Sequence, residues 1–140
     1  MPVAKIVILN WNGAEHLRRF LPSVVAAAPA GVEVMVADNG STDDSLRVLA
    51  TEFPSVGVLR LEANYGFAGG YNRALKQVEA DYYLLLNSDI ETPEGWLAPI
   101  LDVLEREPDV AVVSPKLISW TDRTEFEYAG ASGGFIDFLG

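Results

Sequence analysis

The 140-residue sequence contains no cysteine, a single histidine and no long uninterrupted apolar run. Without cysteine there is no disulfide, thiolate metal site or cysteine nucleophile, and this composition fits a reducing compartment such as the cytoplasm. The one histidine, His16, lies early in a predicted helix, where it is expected to be exposed, and this argues against a Ser-His-Asp hydrolase. No segment approaches the roughly 20 apolar residues that cross a bilayer, so we predict no transmembrane segment.

Basic residues are also scarce, with 10 Lys and Arg against 20 Asp and Glu and a formal net charge of −10. Nucleic acid is therefore excluded as a partner, because no basic stripe is available to displace counterions from phosphates. The same charge disfavours docking on anionic lipid. The hydrophobic fraction of 49% is that of one ordinary globular domain.

Short apolar runs rich in β-branched residues alternate with segments of helical period, a pattern typical of successive βαβ units. Strands are predicted at Val3 to Leu9, Val32 to Ala37, Val56 to Leu61, Tyr82 to Leu86 and Val110 to Val113. Helical spacing predicts four helices, around Leu17 to Val25, Leu46 to Phe53, Tyr71 to Val78 and Trp96 to Leu104. The strands are apolar almost throughout, which predicts burial on both faces. We predict an α/β fold with a mostly parallel, twisted sheet and helices on both faces.

Boundary signals refine this prediction. Ser41 precedes Asp44 by three residues, as in a capping box, and Pro93 suits the first turn of the fourth helix. After about Ser114 the alternation fades into a short predicted strand at Glu125 to Tyr128, with its two glutamates on the solvent face. A Gly-rich, apolar tail follows.

Polar residues interrupt the pattern where four predicted strands end, and ligands of open parallel sheets bind beyond these carboxyl ends. The four polar segments are Asn10 to Gly13, Asp38 to Ser41, Glu62 to Gly66 and Asn87 to Asp89. Parallel strands place their carboxyl ends at the same edge of the sheet. We therefore predict that the four segments share one rim.

The segment Asn87, Ser88 and Asp89 suits a hard divalent cation, since a carboxylate at a strand end can bind Mg²⁺ or Mn²⁺ while substrate phosphates complete the shell. Asp89 is the predicted metal ligand. Such an ion would stabilise the charge of a departing diphosphate as a Lewis acid. The alternative is a turn or helix cap, because Asn, Ser and Asp favour such positions regardless of function.

The segment that starts at Asp38 combines a strand-end carboxylate, a turn and a helix start. Asp38 is predicted to accept hydrogen bonds from a base or ribose, with Asn39 and Ser41 beside it. The alternative is structural: Asn39 and Gly40 make the turn, Ser41 or Asp43 caps the helix, and Asp38 is solvated.

The segment from Asn64 to Asn72 brings small residues and amides to a helix start, where free backbone N–H groups favour an anion. It lacks the Gly-Lys-Ser/Thr ending of a P-loop. The alternative is that its glycines allow the helix to pack closely on the sheet. The residues predicted to approach a diphosphate are Asn64, Gly66, Phe67, Ala68, Gly70 and Asn72.

Trp11 lies between two asparagines after the first strand and is a candidate to flank a base or sugar. The alternative is a tryptophan with a packed ring, which is the commoner situation.

Taken together, these segments resemble glycosyltransferase family 2, whose members share the GT-A nucleotide-sugar-binding fold. The resemblance rests on Ile8 to Gly13, Val36 to Asp43, Asn64 to Asn72 and Leu84 to Asp89, in the order found in the family. It implies a metal-dependent, inverting transferase that moves a sugar from a nucleoside diphosphate sugar to a saccharide or lipid-linked acceptor. The Asn-x-Gly-Phe-Ala-x-Gly loop is most similar to the rhamnosyltransferase branch of bacterial envelope polysaccharide enzymes. The expected donor is therefore dTDP-rhamnose or a UDP-sugar.

For individual residues, the resemblance implies that Asp38 contacts the base, that Asn10 and Asn12 lie near the base and ribose, and that Asp89 ends the D-x-D metal motif. Two positions depart from the family pattern. Asn87 replaces the first Asp of the metal motif, and Tyr71 stands where many members carry an arginine.

The resemblance also implies a catalytic base and an acceptor-binding half beyond Gly140, acting at the cytoplasmic face of a membrane. The apolar ending Phe135 to Leu139 is typical of a segment that packs against further chain. We interpret residues 1–140 as the donor-binding part of a truncated GT-A domain. A nucleotide-sugar-binding module without catalysis is the alternative. A phosphate-accepting receiver domain is disfavoured because asparagines replace its acidic pair, and a nucleotidyltransferase because the first strand is not followed by a basic Gly-rich loop.

Overall fold

The computed structural model of the protein describes residues 4–128. They belong to two compact units that divide between Trp96 and Leu97. Within residues 4–128, the first unit contains four strands and three helices, and the second contains one helix. Among the described residues, no helix has the length and apolar character needed to span a membrane.

The sheet is parallel throughout and has the strand order β3-β2-β1-β4. Its strands are β1 (Ala4–Asn10), β2 (Glu33–Asp38), β3 (Gly57–Arg60) and β4 (Tyr82–Asn87). The prediction of these four strands is confirmed to within one residue at each end, although Val3 lies outside the described residues. The predicted α/β architecture is therefore confirmed.

The helices are α1 (Ala14–Ala27), α2 (Ser45–Glu52), α3 (Gly66–Leu75) and, in the second unit, α4 (Ala98–Arg106). Right-handed crossovers in this strand order place α1 and α2 on one face of the sheet and α3 on the other. The α3 face has a buried cluster that includes Val7, Ala37, Tyr71 and Ala74. His16 in α1 is exposed, as predicted.

Burial on both faces, predicted for every strand, is found for β1 but is wrong for the two edge strands. Along β4 the residues alternate between half-buried and exposed, and Tyr83 and Leu85 are 40% and 53% exposed. Val58 in β3 is also exposed. An edge strand has a neighbour on one side only, so helices packed over the middle of a sheet cover it less completely.

The fifth predicted strand is wrong, because Val110 to Val113 form no strand. A short apolar run becomes a strand only where another strand accepts and donates its backbone hydrogen bonds, and periodicity does not reveal whether that partner exists. The predicted helix start is also wrong: Pro99, not Pro93, occupies the first turn of α4.

The predicted strand at Glu125 to Tyr128 is reduced to a single antiparallel bridge between Ile118 and Phe126. Glu125 and Glu127 are exposed, as predicted. The Gly-rich apolar tail, including Phe135 to Leu139, lies outside the described residues.

Candidate functional site

The carboxyl ends of β1, β2 and β4 and the start of α3 lie at one edge of the first unit. Because the chain runs from β1 to β2 on one side and reaches β4 on the other, the topological switch point lies between β1 and β4. The loops that follow these two strands approach each other there: a Cβ built on Gly13 would be 3.6 Å from the Ser88 hydroxyl oxygen. This crevice is where an open parallel sheet is expected to bind a ligand.

The buried Asn10 and Asp38 and the half-buried Ser41 form a polar cluster at the ends of β1 and β2. The Asn10 side-chain amide donates to Asp38 Oδ1 and to Ser41 Oγ, both at 3.2 Å, and the Ser41 backbone N–H donates to Asp38 Oδ2 at 3.0 Å. Asp38 is 2% exposed, so the alternative of a solvated Asp38 is wrong. A carboxylate has about four lone-pair positions, and two protein donors leave some of them available.

Asn12 connects the loop after β1 to the loop after β2. Its backbone has a φ of +50°, in the left-handed region that asparagine tolerates. Its side-chain oxygen accepts hydrogen bonds from the backbone N–H groups of Thr42 at 2.7 Å and Asp43 at 3.3 Å, and its own N–H donates to Ser41 Oγ at 2.9 Å. The two loops therefore form one hydrogen-bonded unit.

Asn39 connects the end of β2 to the start of α3. Its side-chain amide donates to Asn64 Oδ1 at 3.0 Å and to the Gly66 carbonyl at 3.1 Å, and its Oδ1 accepts from the Tyr65 N–H at 3.0 Å. Asn64 Oδ1 also accepts from the Gly66 N–H at 2.8 Å. This network fixes the turn that leads into α3.

Two glycines allow these loops to approach each other. A Cβ on Gly40, where φ is +73°, would lie 2.6 Å from the Ala63 carbonyl carbon. A Cβ on Gly70 would lie 2.9 Å from a Leu9 methyl carbon and 3.0 Å from the Asn39 amide nitrogen. The close-packing alternative for the glycines of the Asn64 to Asn72 segment is thus correct at Gly70.

Asn87, the last residue of β4, and Asp89, which follows the strand, are exposed, and Ser88 is half-buried between them. The chain turns at Ser88 and Asp89, in keeping with the turn alternative. Among residues 4–128 no group of three or more His, Cys, Asp or Glu side chains is arranged to hold a metal ion. One carboxylate and one amide oxygen nevertheless fit Mg²⁺ or Mn²⁺, because such ions are commonly held by one or two carboxylates together with water and substrate phosphates. The donor set therefore fits an ion that arrives with a diphosphate.

Exposed aromatic side chains border the same edge. Trp11 is 56% exposed, so the alternative of a packed tryptophan is wrong, and Phe67 in the first turn of α3 is 65% exposed. The Phe67 ring meets the Tyr71 ring edge-to-face at 5.1 Å. Ala68 and Asn72, also in α3, are exposed.

The alternative that Asp43 caps a helix is correct for α2, but sequence reasoning missed the hydrogen bond that Asp43 makes at the start of α1. One carboxylate oxygen accepts from the Ala14 N–H at 3.0 Å, at the start of α1, and the other accepts from the Ser45 N–H at 2.9 Å, at the start of α2. An acidic residue just before a helix was a visible signal for the second bond, but the first joins residues 29 positions apart.

The capping box predicted from Ser41 and Asp44 does not form. The Ser41 hydroxyl accepts hydrogen bonds from Asn10 and Asn12, while Asp44 pairs with Arg47 at 2.6 Å. The site uses the serine hydroxyl that would otherwise have capped the helix.

Asp43 makes the stability of this edge depend on pH. Partial burial acts to raise the pKa of its carboxyl, but hydrogen bonds from Ser45 and Ala14 outweigh it and hold that pKa below its ordinary value of 3.8. The stabilisation is therefore complete above about pH 4 and is lost as the pH falls through the lowered pKa. We expect Asp43→Asn to be less stable than wild type at pH 7, with the gap in denaturation midpoint closing in acid. A gap that stays constant down to pH 2 would contradict this role.

A depression of about 580 Å³ lies at the opposite edge of the sheet, around the amino ends of β2 and β3. Its lining is mostly aliphatic, and its one carboxylate, Glu33, pairs with Lys5 at 2.8 Å. The buried Asn10 and Asp38 and the exposed Asn87 and Asp89 are at the carboxyl edge, so we place the candidate site there and not at this depression.

Solved glycosyltransferase structures share this fold. TarS from S. aureus superposes with a TM-score of 0.64 and 22% identity, covering 82% of this chain and 39% of that one. A mannosyltransferase from Pyrobaculum calidifontis, solved in complex with GDP-Man and Mn²⁺, gives a TM-score of 0.63 and 21% identity, covering 84% and 35%. The fold is therefore the predicted GT-A fold.

Curated relatives match over most of this chain but over less than half of their own length. N-acetylglucosaminyl-diphospho-decaprenol L-rhamnosyltransferase from Mycobacterium tuberculosis is 29% identical over 124 residues, which are 81% of this chain and 40% of the relative. Undecaprenyl-phosphate 4-deoxy-4-formamido-L-arabinose transferase from Sodalis glossinidius is 33% identical over 113 residues, covering 75% and 34%.

The family model of glycosyl transferase family 2 matches residues 5–131, which include all four polar segments of the sheet edge. The chain spans about 40% of the length of the rhamnosyltransferase and less of the arabinose transferase. Because the family model matches most of the chain, the chain belongs to glycosyl transferase family 2.

Proposed function

We propose that residues 10–89 form the donor site of an inverting glycosyltransferase that uses a nucleoside diphosphate sugar, with dTDP-rhamnose or a UDP-sugar as the donor. The acceptor is a saccharide or a lipid-linked molecule, as the names of the two curated relatives suggest. The observation that carries the proposal is the network of hydrogen bonds that links the ends of β1 and β2 to the start of α3, beside the end of β4.

The base and ribose are assigned to the Asn10, Asn12 and Asp38 cluster, with Trp11 beside it. Asp38 is a buried carboxylate whose two bonded partners are neutral groups, and a base N–H or ribose hydroxyl would add a further donor. The exposed indole of Trp11 offers an apolar surface to a base or sugar ring. These groups provide both hydrogen bonding and stacking at one position.

The diphosphate is assigned to the start of α3. The N-cap residue Tyr65 makes no side-chain cap, and the first backbone N–H groups of a helix lack partners within that helix. The guanidinium of Arg73 extends back along α3 and lies 3.7 Å from the centre of the Tyr65 ring. Arg73 thereby brings a positive charge to the turn that Asn39 fixes. In family members with an arginine at the position of Tyr71, that arginine would supply this charge.

Asp89 and Asn87 would hold Mg²⁺ or Mn²⁺, which supplies Lewis-acid stabilisation of the diphosphate when bound. In an inverting reaction the acceptor hydroxyl attacks the anomeric carbon from the face opposite the diphosphate, and a general base removes its proton. We propose that this base is supplied from beyond Gly140. The described residues bind and orient the donor.

Calorimetry with UDP, dTDP and GDP, each with and without Mn²⁺, tests the donor site. At least one diphosphate should bind, and Mn²⁺ should tighten it; no binding by any of the three would overturn the proposal. Asp38→Asn should weaken binding and reduce the preference among bases, because the amide presents a donor where the carboxylate accepts. The new amide N–H group would also face a group that donates to Asp38 in the wild type, the Asn10 amide or the Ser41 N–H. We therefore expect Asp38→Asn to lower the free energy of unfolding by about 1 to 3 kcal/mol.

Asp44→Asn is the matched control, since Asp44 belongs to the same loop but pairs with the exposed Arg47. Its affinities and base preference should equal those of wild type. If Asp38→Asn binds all three diphosphates as wild type does, the assignment of Asp38 fails.

A further inference from the structure

Tyr71 joins α3 to both strands at the switch point. Its side chain is buried, its hydroxyl donates to the Leu86 carbonyl at 2.9 Å, and the same oxygen accepts from the Leu9 N–H at 3.4 Å. Leu9 and Asn87 are the last paired residues of β1 and β4. One phenol therefore contacts both strands where their parallel pairing ends.

This contact lies next to the proposed metal-binding residues. The carbonyl that Tyr71 holds belongs to Leu86, the residue before Asn87. Among residues 4–128, the side chains of Asn87 and Asp89 form no hydrogen bond or ion pair that would hold them in place. Their position therefore depends on the backbone at the end of β4, and Tyr71 is the side chain that fixes this backbone from the α3 side.

The phenol is also a dependable donor. Burial raises the pKa of Tyr71 above its ordinary value of 10.0, against the opposing effect of the hydrogen bond from Leu9. The group therefore stays protonated at neutral pH and keeps donating to Leu86. Its ring is held from the α3 side by the edge-to-face contact with Phe67.

We propose that Tyr71 is a positioning residue of the donor site, whose hydroxyl holds the end of β4 against β1 and α3 and so keeps Asn87 and Asp89 in a fixed position for a metal-bound diphosphate. The inference rests on the proposed function. It gives a role to the residue that departs from the family pattern: the side chain orders the metal side of the site instead of contacting phosphate.

Tyr71→Phe tests this, and Tyr83→Phe is a closely matched control. The Tyr83 hydroxyl also donates to a backbone carbonyl, that of Val78 at 2.8 Å, and accepts from a backbone N–H, that of Ala80 at 3.2 Å. Tyr83 lies near the amino end of β4, away from the site. Both variants lose one hydroxyl with the same kind of partners.

Calorimetry measures the gain, defined as the increase in affinity for UDP, dTDP or GDP on adding Mn²⁺. Electron paramagnetic resonance measures how much Mn²⁺ is bound in the presence of the same diphosphate. Tyr71→Phe should reduce the gain about tenfold, the lower end of the effect of losing groups that orient metal ligands. The affinity of Tyr71→Phe for the diphosphate without Mn²⁺ should be unchanged. Tyr83→Phe should match wild type in the gain and in the affinity without Mn²⁺.

An unchanged gain in Tyr71→Phe, or an equal loss in both variants, would overturn the inference. If wild type shows no gain with any diphosphate, the metal-dependent donor site itself fails, which is a separate outcome. Replacement of Tyr71 by 4-aminophenylalanine keeps an N–H donor and should restore the gain. This variant also provides the test if Tyr71→Phe does not fold.

Discussion

Asp89→Ala is expected to abolish the Mn²⁺-dependent part of nucleoside diphosphate binding. Asp89 is the one carboxylate in the segment Asn87 to Asp89, because Asn87 stands where the D-x-D motif has its first Asp. Loss of groups that merely orient a metal ligand costs about 10- to 100-fold in metal affinity, so loss of the ligand itself should cost at least as much. Calorimetry with and without Mn²⁺ measures this difference directly.

Glu79→Ala is the control for charge. Glu79 is an exposed carboxylate that lies before β4, at the amino edge of the sheet. If its loss reduced Mn²⁺-dependent binding as much as the loss of Asp89, the effect would reflect the net charge of the protein and not a metal ligand. The low affinity of Asp89→Ala without Mn²⁺ should equal that of wild type without Mn²⁺.

Gly40→Ala should be strongly destabilising and should also disrupt the site. Left-handed backbone costs a non-glycine residue about 1 to 2 kcal/mol. The new Cβ would also lie 2.6 Å from the carbonyl carbon of Ala63 and 2.8 Å from the Asn64 nitrogen, which are backbone atoms. Overpacking of this kind typically adds about 1 to 3 kcal/mol. We expect a total loss of about 2 to 5 kcal/mol, measured by urea denaturation.

Gly31→Ala separates the two causes. Gly31 has a similar backbone, with a φ of +88°, but no atom lies within 4 Å of its added Cβ. It should therefore show the conformational cost alone and keep the diphosphate affinity of wild type. Equal destabilisation of the two variants would show that the approach of Gly40 to Ala63 contributes nothing.

The residues of the site could be found from the sequence, but their roles could not. Asp38 follows an apolar run, which predicts a strand-end carboxylate at the rim. Its burial depends on Asn10, 28 residues before it at the end of β1, and on Ser41, three residues after it in the loop that follows β2. Short-range patterns assigned Ser41 to a helix cap, since they contain no information on which distant donor competes for its hydroxyl.

Tyr71 shows the same limit more clearly. Its helical spacing with Ala74 and Leu75 correctly predicts that it lies on the buried face of a helix. Nothing in that spacing indicates that its hydroxyl meets Leu9 and Leu86, because the distance between these backbones exists only once β1 and β4 are paired.

By itself the sequence determined the parallel α/β sheet, the limits of its four strands and the family, because hydrophobic periodicity and strand-end polar residues are local properties. The tertiary structure decided which polar groups are buried, which face solvent and which side chains join the loops. It also decided that Val110 to Val113 remain without a strand partner among the described residues. These properties depend on which segments meet in space, and backbone and side-chain hydrogen bonds are completed by partners distant in the chain.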